Sequence, residues 1–304
     1  MKRFIINTLC FISIVLISIY FILLKVDGYT DPYYLKFTTR KQNSLIIGTS
    51  KSAQGIVPDI VNEILDIEIY NYSFNMNISP FGPKYLESLK RKLTQKNKNG
   101  VFIVTVDCWS ISSTCINPND TLNFRENNSC IGEIKIVDKN PNMQYLYKYM
   151  FGNYYKAIFK SSVALLHDNG WYEVSLNMDS ISVNRRTYST LLEYENNISI
   201  YKYSQTRVDY LIKTIEFLDT YGDVYLVRLP ISPKLMEIEN QLNPNFNSII
   251  QQISRKKYDY LDLTPKNDLF NYTDGVHLSK NSSKIVTKEI SNWIKNIETT
   301  RTRN

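Results

Sequence analysis

The sequence has only two histidines among its 304 residues, His167 and His277, and no cysteines in a CxxC arrangement. Zinc sites are usually built from paired cysteines and clustered histidines. The composition therefore argues against a zinc protein, and we predict no metal and no cofactor. His167 follows the apolar stretch 163–166, which indicates the C-terminal residue of a helix, so His277 is the better candidate for a general base.

Cysteine is also scarce, with four residues. Cys10 lies in an apolar N-terminal run. Cys108, Cys115 and Cys130 are an odd set, so at most one disulfide can form among them and one thiol is left over. A bridge from Cys115 to either of the other two would close a short loop, and three free thiols are an equal alternative.

The chain has no concentrated basic region. Lysine and arginine outnumber aspartate and glutamate by 36 to 29, which gives a formal net charge of +7. These cations are spread along the chain without the aromatic and basic modules that bind nucleic acid. We therefore predict no nucleic-acid partner, although the charge suits an anionic surface or polymer. The hydrophobic fraction of 43% is that of a globular protein.

One long apolar run is present, over residues 4–24, and Lys2 and Arg3 precede it. About 20 apolar residues are enough for a helix to span a bilayer. The run lacks the small-x-small site at which secretory signal peptides are cleaved. We therefore predict an uncleaved, single-pass anchor over residues 1–26, with a cleaved signal peptide as the alternative. The cationic start predicts the N-terminus inside the cytoplasmic membrane and the remaining chain outside.

Strand and helix patterns alternate after a predicted linker over residues 27–43. Short apolar runs predict strands at 44–48, 67–74, 101–106, 224–230 and 258–263. Helical spacing of apolar residues predicts helices at 57–65, 82–95, 205–220, 245–256 and 282–297. This alternation predicts an α/β fold in which helices cover both faces of a mostly parallel sheet.

The alternation breaks between residues 108 and 204. We predict a loop to about residue 141, a helix over 144–166 and a short strand at 171–174. Insertions of this length in compact domains are usually functional lids or binding elements. The predicted organisation is therefore one domain over 44–304, in which the insert at 108–204 caps the carboxyl edge of the sheet.

Two short segments at opposite ends of this domain carry residues suited to nucleophilic catalysis. Ser50 follows the first predicted strand directly, and the carboxyl ends of strands are where open α/β sheets bind ligands. Asp274 and His277 lie three residues apart before the last helix, with Gly275 between them. A serine needs a base to take its proton, and the base needs a carboxylate to orient it. The alternatives are a serine that caps a helix and a solvated loop.

This layout, a serine after the first strand and a late Asp-x-x-His before the last helix, resembles the SGNH (GDSL-like) hydrolases and acyltransferases. The stretch Ile-Gly-Thr-Ser-Lys-Ser-Ala-Gln-Gly at 47–55 is similar to the membrane-anchored, extracytoplasmic branch of that superfamily. That branch includes the D-alanyl transfer protein of lipoteichoic acid and alginate acetylation proteins. The resemblance covers the strands and both ends of the domain but not the insert.

The resemblance implies a flavodoxin-like, three-layer α/β/α fold. It also implies ester hydrolysis or acyl transfer through an acyl-serine without a metal, with Ser50 as nucleophile, His277 as base and Asp274 as the orienting carboxylate. The implied substrate is a cell-surface polysaccharide or a smaller acylated compound. For transfer, the resemblance implies a membrane-bound O-acyltransferase as partner.

The sequence departs from the family pattern at the oxyanion hole. Gly-Thr-Ser stands at 48–50 in place of Gly-Asp-Ser, and the usual Gly-x-Asn-Asp block is missing. Gly82, Asn75, Asn77 and Arg228 are the candidate substitutes for oxyanion or substrate binding. Loss of one oxyanion donor typically costs about 10²- to 10³-fold in rate. A non-catalytic binding or assembly component of a polysaccharide-modification system is therefore the alternative function.

Overall fold

The computed structural model describes residues 1–94, 98–150, 154–160, 163–255 and 257–303. The strands are β1 (Ser44–Ile47), β2 (Ile69–Asn71), β3 (Gly100–Thr105), β4 (Ser112–Ser113), β5 (Ala164–Leu166), β6 (Tyr172–Val174), β7 (Lys202–Tyr203), β8 (Gly222–Arg228) and β9 (Asp259–Asp262). The helices are α1 (Lys2–Leu23), α2 (Ser50–Gly55), α3 (Pro58–Leu65), α4 (Pro83–Lys92), α5 (Cys130–Glu133), α6 (Met143–Lys148), α7 (Ser180–Ile198), α8 (Gln205–Asp219), α9 (Pro233–Leu242), α10 (Phe246–Ser254) and α11 (Lys280–Arg303).

The centre of the fold is a parallel sheet with the strand order β2-β1-β3-β8-β9. Neighbouring residues of a strand point to opposite faces of a sheet. Leu45 and Ile47 accordingly join an apolar cluster on one face, whereas Ile46 joins a second cluster on the other face. Because helices cover both clusters, the central residues of the inner strands are apolar on both faces, as in Leu45–Ile47 and Val101–Val104. The predicted α/β fold with a mostly parallel sheet is confirmed.

The predicted elements outside the insert are present, with ends that differ by a few residues. The second strand is shorter than predicted, since β2 ends at Asn71. There the Asn71 side chain donates hydrogen bonds to the carbonyls of Ser52 and Ile56. Helix α9 was not predicted, although it begins with a proline at its first turn, where proline is well tolerated.

The N-terminal helix α1 is long and apolar enough to span a membrane, with a mean hydropathy of 2.5 and no buried residue over 2–23. Residues 27–43, predicted to be a linker, are instead packed on the domain. They include a 3₁₀ helix, Tyr34–Phe37, whose two aromatic ends are fully buried. The ammonium group of Lys36 donates hydrogen bonds to the carbonyls of Asn71 and Gly170, which ties this segment to the end of β2.

The insert differs most from prediction. The helix predicted over 144–166 is wrong: α6 ends at Lys148, a 3₁₀ turn covers Tyr154–Ala157, and β5 pairs with β6. Residues 151–153 and 161–162 of that predicted helix lie outside the described residues. Tertiary pairing explains β5, because the Leu166 N–H also bonds to the Gly28 carbonyl at 3.0 Å.

The insert also contains the unpredicted helix α7, whose Asp179 cap accepts a hydrogen bond from Ser182 N–H. In the same region Cys108 and Cys130 are buried free thiols, and Cys115 and Cys10 are free as well. The structure therefore realises the three-thiol alternative. Burial raises the pKa of the Cys108 and Cys130 thiols, which makes them poor nucleophiles.

Candidate active site

The turn after β1 depends on a glycine. Gly48 has a φ of +151°, which side chains rarely adopt, and a Cβ atom on it would lie 1.8 Å from Thr105 Oγ1 and 2.6 Å from Ser52 Oγ, so glycine is strongly favoured there. The Gly48 N–H donates to the Tyr85 hydroxyl at 3.1 Å, and its carbonyl accepts from Ser79 Oγ at 2.7 Å. These contacts fix the backbone that leads into Ser50.

Ser50 is the first residue of α2, and buried groups hold both of its neighbours. Thr49 Oγ1 donates to Asp107 Oδ2 at 2.8 Å, and the Lys51 ammonium forms a buried ion pair with Glu239. Burial lowers the pKa of Lys51, but the facing carboxylates outweigh burial and raise it overall. Ser50 itself is partly exposed, so its hydroxyl is accessible while its backbone is fixed.

Asp274 and His277 lie on the loop that precedes α11. Asp274 Oδ1 accepts hydrogen bonds from the N–H groups of Val276 and His277, at 3.0 and 2.8 Å. Gly275, which follows Asp274, has a φ of +88°, a conformation that favours glycine. A turn therefore forms around one carboxylate oxygen of Asp274, and the other carboxylate oxygen points at the imidazole ring.

These residues form a continuous hydrogen-bonded chain. His277 Nδ1 lies 2.7 Å from Asp274 Oδ2, and His277 Nε2 lies 2.9 Å from Ser50 Oγ. Burial raises the pKa of Asp274, but His277 and the backbone N–H groups outweigh burial and lower it overall. The ionised carboxylate holds the proton on Nδ1, so that Nε2 is free to accept the serine proton.

The serine hydroxyl faces a cavity of about 240 Å³. Its walls come from the turn at 49–51, the loop at 75–77, the start of the insert and the Asp-His loop. Helix α7 closes the cavity with Thr190, Glu193 and Tyr194. The Tyr194 ring packs edge-on against Trp109, with ring centroids 4.7 Å apart. The insert was predicted to act as a lid, but α7 itself was not predicted. Its clearest signal in the sequence is Asp179, a residue type that often caps the start of a helix.

Two of the four candidate oxyanion or substrate residues do not reach this cavity. Gly82 faces the buried pair of Glu126 and Arg207, and a Cβ atom added to it would lie 2.5 Å from Glu126 Oε1. Arg228 is buried on the far side of Glu239, 3.6 Å from its carboxylate, and bonds to Asn247 at 2.8 Å. The structure thus assigns both residues to packing rather than to the cavity.

Asn75 and Asn77 do line the cavity. The Asn75 oxygen accepts from the N–H groups of Asn77 and Ile78, and its nitrogen donates to the Tyr33 hydroxyl at 2.9 Å. The Asn75 oxygen is therefore occupied, and one of the two N–H groups of its nitrogen is held by Tyr33.

The Asn77 side chain forms hydrogen bonds within the protein only through its amide oxygen. That oxygen accepts hydrogen bonds from Arg125 at 3.1 Å and from the Tyr201 hydroxyl at 3.2 Å. Two donors at one atom identify it as the oxygen of the amide. Among the described residues, the Asn77 amide nitrogen has no hydrogen-bond acceptor, so it is available to a ligand in the cavity.

His167 lies apart from this site, and its prediction as a helix C-terminal residue is wrong. It follows β5, and its Nε2 lies 2.9 Å from Glu173 Oε2. Its ring stacks on Trp171 with centroids 4.9 Å apart. No cluster of three or more potential metal-ligating His, Cys, Asp or Glu side chains occurs within the described ranges.

Comparison with known proteins adds little to this geometry. No protein-family model matches the chain, and no curated protein matches it. Among solved structures, an inhibitor-bound aryl esterase of M. smegmatis aligns with 85% of this chain and 99% of its own, with a TM-score of 0.37 and 9% identity. A likeness this weak carries no argument about function, so the site is characterised by its own contacts.

Proposed function

We propose that this protein is a serine esterase or O-acyltransferase that works through an acyl-Ser50 intermediate. The observation that carries the proposal is the hydrogen-bonded chain from Ser50 Oγ through His277 to Asp274, at 2.9 and 2.7 Å. Serine, histidine and aspartate in this order form a nucleophile, its general base and the group that orients the base.

In the first half of the reaction, Ser50 Oγ attacks the carbonyl carbon of an ester while His277 Nε2 takes the hydroxyl proton. Asp274 stabilises the imidazolium that forms. The tetrahedral intermediate then breaks its bond to the leaving alcohol, which receives the proton from His277, and the acyl group stays on Ser50. In the second half, water or another alcohol attacks the acyl-serine with the same base.

We assign the oxyanion donors to the Ser50 N–H and the Asn77 amide nitrogen. The argument for Asn77 is that its oxygen is already occupied, which leaves its nitrogen available in the cavity. Asn75 is the weaker candidate, because its amide nitrogen already donates one of its two N–H groups to Tyr33 and its oxygen caps the loop. A donor of this kind stabilises the negative charge that develops on the carbonyl oxygen.

The cavity favours a small acyl group. Its volume of about 240 Å³ lies below the roughly 300–1,000 Å³ of pockets that enclose drug-sized ligands. Buried aromatic side chains, Trp109 and Tyr194, form part of its wall. We therefore propose short acyl esters rather than long-chain lipids as the compounds that load Ser50.

The resemblance to SGNH acyltransferases supports a cell-surface polysaccharide as the second substrate, with a membrane-bound O-acyltransferase as the partner that supplies the acyl group. Helix α1 is compatible with an anchor that holds the domain outside the cytoplasmic membrane. The alternative, a non-catalytic binding component, was suggested by the missing asparagine block. The contact between Ser50 and His277, and the available Asn77, favour catalysis instead.

A fluorophosphonate probe tests the proposal, because it reacts with serines that a neighbouring base activates. We expect the full-length protein to be labelled at Ser50, and the Ser50→Ala variant to lose the label. Ser189→Ala, at an exposed position on α7, is the matched control and should keep it. Folded protein that is not labelled at Ser50 would favour the non-catalytic alternative.

A further inference from the structure

The end of the apolar helix α1 is packed against the domain. Ile22 and Leu23 are partly buried against the main apolar cluster. An apolar cleft of about 420 Å³ lies between this end of the helix and α6, and it is lined by Ile19 as well as by Met143 and Tyr147. The domain surface formed by α6 therefore lies beside the last turn of α1.

The depth of this contact can be placed relative to a bilayer. An α-helix rises about 1.5 Å per residue, so α1 is about as long as the roughly 30 Å hydrocarbon core of a membrane. If α1 spans the membrane, its last turn, from Ile19 to Leu23, lies at the boundary between hydrocarbon and headgroups. Residues that line a cleft with Ile19 lie at the same level.

The domain surface next to this turn is unusually apolar. We define the juxtamembrane patch as five exposed side chains on α6 and on the segment around the 3₁₀ turn Tyr154–Ala157, which contacts α1. They are Met143, Tyr147, Tyr155, Ile158 and Phe159, with exposed fractions of 49%, 91%, 58%, 56% and 69%. Both groups lie beside the end of α1, and soluble surfaces rarely expose several large apolar side chains close together without a function.

We propose that the juxtamembrane patch is a second membrane contact, which lies in the headgroup region of the bilayer that α1 spans. The patch adjoins α1, so it is continuous with the lipid-facing surface of that helix. The two tyrosines are suited to this depth, because amphipathic aromatic rings concentrate at membrane interfaces, and Phe159 is suited to the acyl boundary just below it. The proposal concerns the lipid bilayer and is independent of the acyl-transfer chemistry.

Apolar side chains make up the patch, and two of the cations beside it are paired within the protein, whereas Lys25 and Lys156 would add attraction to anionic lipids. Lys148 forms an ion pair with Glu133, and Lys160 forms one with Asp27. These two cations are thus already neutralised within the protein and contribute little attraction to anionic lipids. We therefore expect the contact to form on zwitterionic as well as on anionic bilayers.

This contact has a consequence for the active site. Tyr33 follows the end of α1 by about ten residues, a span of at most about 35 Å. Its hydroxyl accepts a hydrogen bond from Asn75, which lines the cavity. With α1 and the patch both in the membrane, the domain has two points of attachment, so the cavity keeps a fixed height and orientation above the lipid.

Depth-dependent fluorescence quenching tests the proposal in the full-length protein. Tyr147→Cys and Phe159→Cys are each labelled with the environment-sensitive dye NBD, after Cys10 and Cys115 are replaced by serine. Ile285→Cys is the control. It is 56% exposed, as Ile158 is, and lies on α11, on the opposite face of the sheet. All of these labelled positions are exposed, so the fold should be retained, and thermal unfolding verifies it.

The labelled proteins are reconstituted in phosphatidylcholine vesicles. We expect the dye at 147 and 159 to show blue-shifted emission, several-fold stronger quenching by a nitroxide lipid than at 285, and protection from aqueous iodide. Equal iodide quenching at all three positions would overturn the proposal. Protection that appears in native membranes but not in these vesicles would also overturn it, because it would assign the patch to a membrane-protein partner.

Discussion

His277 Nε2 lies 2.9 Å from Ser50 Oγ, although the two residues are 227 positions apart in the sequence. The elements that carry them are joined directly. Thr287 on α11 accepts a hydrogen bond from the Val57 N–H, directly after α2, at 3.0 Å. The packing of α11 against the helices after β1 therefore sets the distance between base and nucleophile.

The first prediction concerns the orienting carboxylate. In Asp274→Asn, the amide can donate to His277 Nδ1 and so favours the tautomer whose Nε2 carries the proton and cannot accept from Ser50. We expect kcat for ester hydrolysis to fall by about 10³- to 10⁴-fold. Steady-state kinetics measure this, and Asp268→Asn, at an exposed position nearby, should leave kcat unchanged. An Asp274→Asn variant with full activity would contradict the assigned role.

The second prediction separates the two cavity asparagines with a charge-matched pair of variants. Asn77→Asp keeps the oxygen that accepts from Arg125 and Tyr201 but loses the proposed oxyanion donor. We expect kcat to fall by about 10²- to 10³-fold.

Asn75→Asp adds the same charge and keeps the oxygen that caps the loop, while the Tyr33 hydroxyl must rotate from accepting to donating in order to keep its bond. We expect this variant to retain most of its kcat and to unfold at a somewhat lower temperature. Kinetics and thermal unfolding of both variants are required. An equal loss of kcat in the two would mean that added charge, and not a lost donor, is responsible.

The third prediction concerns acyl length. Forcing extra methylenes into a packed cavity costs about 1–3 kcal/mol, which corresponds to about 10- to 100-fold in rate. We expect kcat/KM for a p-nitrophenyl acetate to exceed that for the octanoate by this factor. Tyr194→Ala removes a ring that lines the cavity and should reduce the ratio. The ratio of the two kcat/KM values does not depend on the fraction of protein that is active. A preference for the octanoate ester would exclude the small-acyl assignment.

The fourth prediction concerns the pH dependence of stability. Burial lowers the pKa of Lys92 to about 7, whereas an unfolded lysine titrates near 10.4. Between these values the unfolded chain binds more protons, so the free energy of unfolding rises with pH, by at most about 1.4 kcal/mol per unit.

Lys92→Met removes this contribution. The difference in unfolding free energy between the parent and the variant should therefore move in favour of the parent from pH 7 to pH 9. Urea unfolding at a series of pH values measures it. A difference that stays constant over this range would show that Lys92 keeps its charge when buried, where its ammonium group donates to the carbonyls of Lys36, Thr39 and Val137.

Local patterns predicted the elements whose burial depends on their own periodicity. The continuous apolar run at 101–106 predicted β3, and the strand signals beside it predicted a parallel sheet. The insert was harder, because its elements depend on distant partners. Ala164–Leu166 pairs with Tyr172–Val174 and with the segment after α1, so a stretch that resembles a helix locally becomes a strand.

Local amino-acid patterns predicted the N-terminal apolar helix, the strands of the sheet and the Asp-x-x-His segment, because each of these depends on residues close together in the chain. The folded chain was needed to show that His277 contacts Ser50, that Asn77 and not Arg228 offers a donor to the cavity, and that α7 closes the cavity. Those outcomes depend on which side chains from distant segments meet and which hydrogen-bonding groups their neighbours have already used.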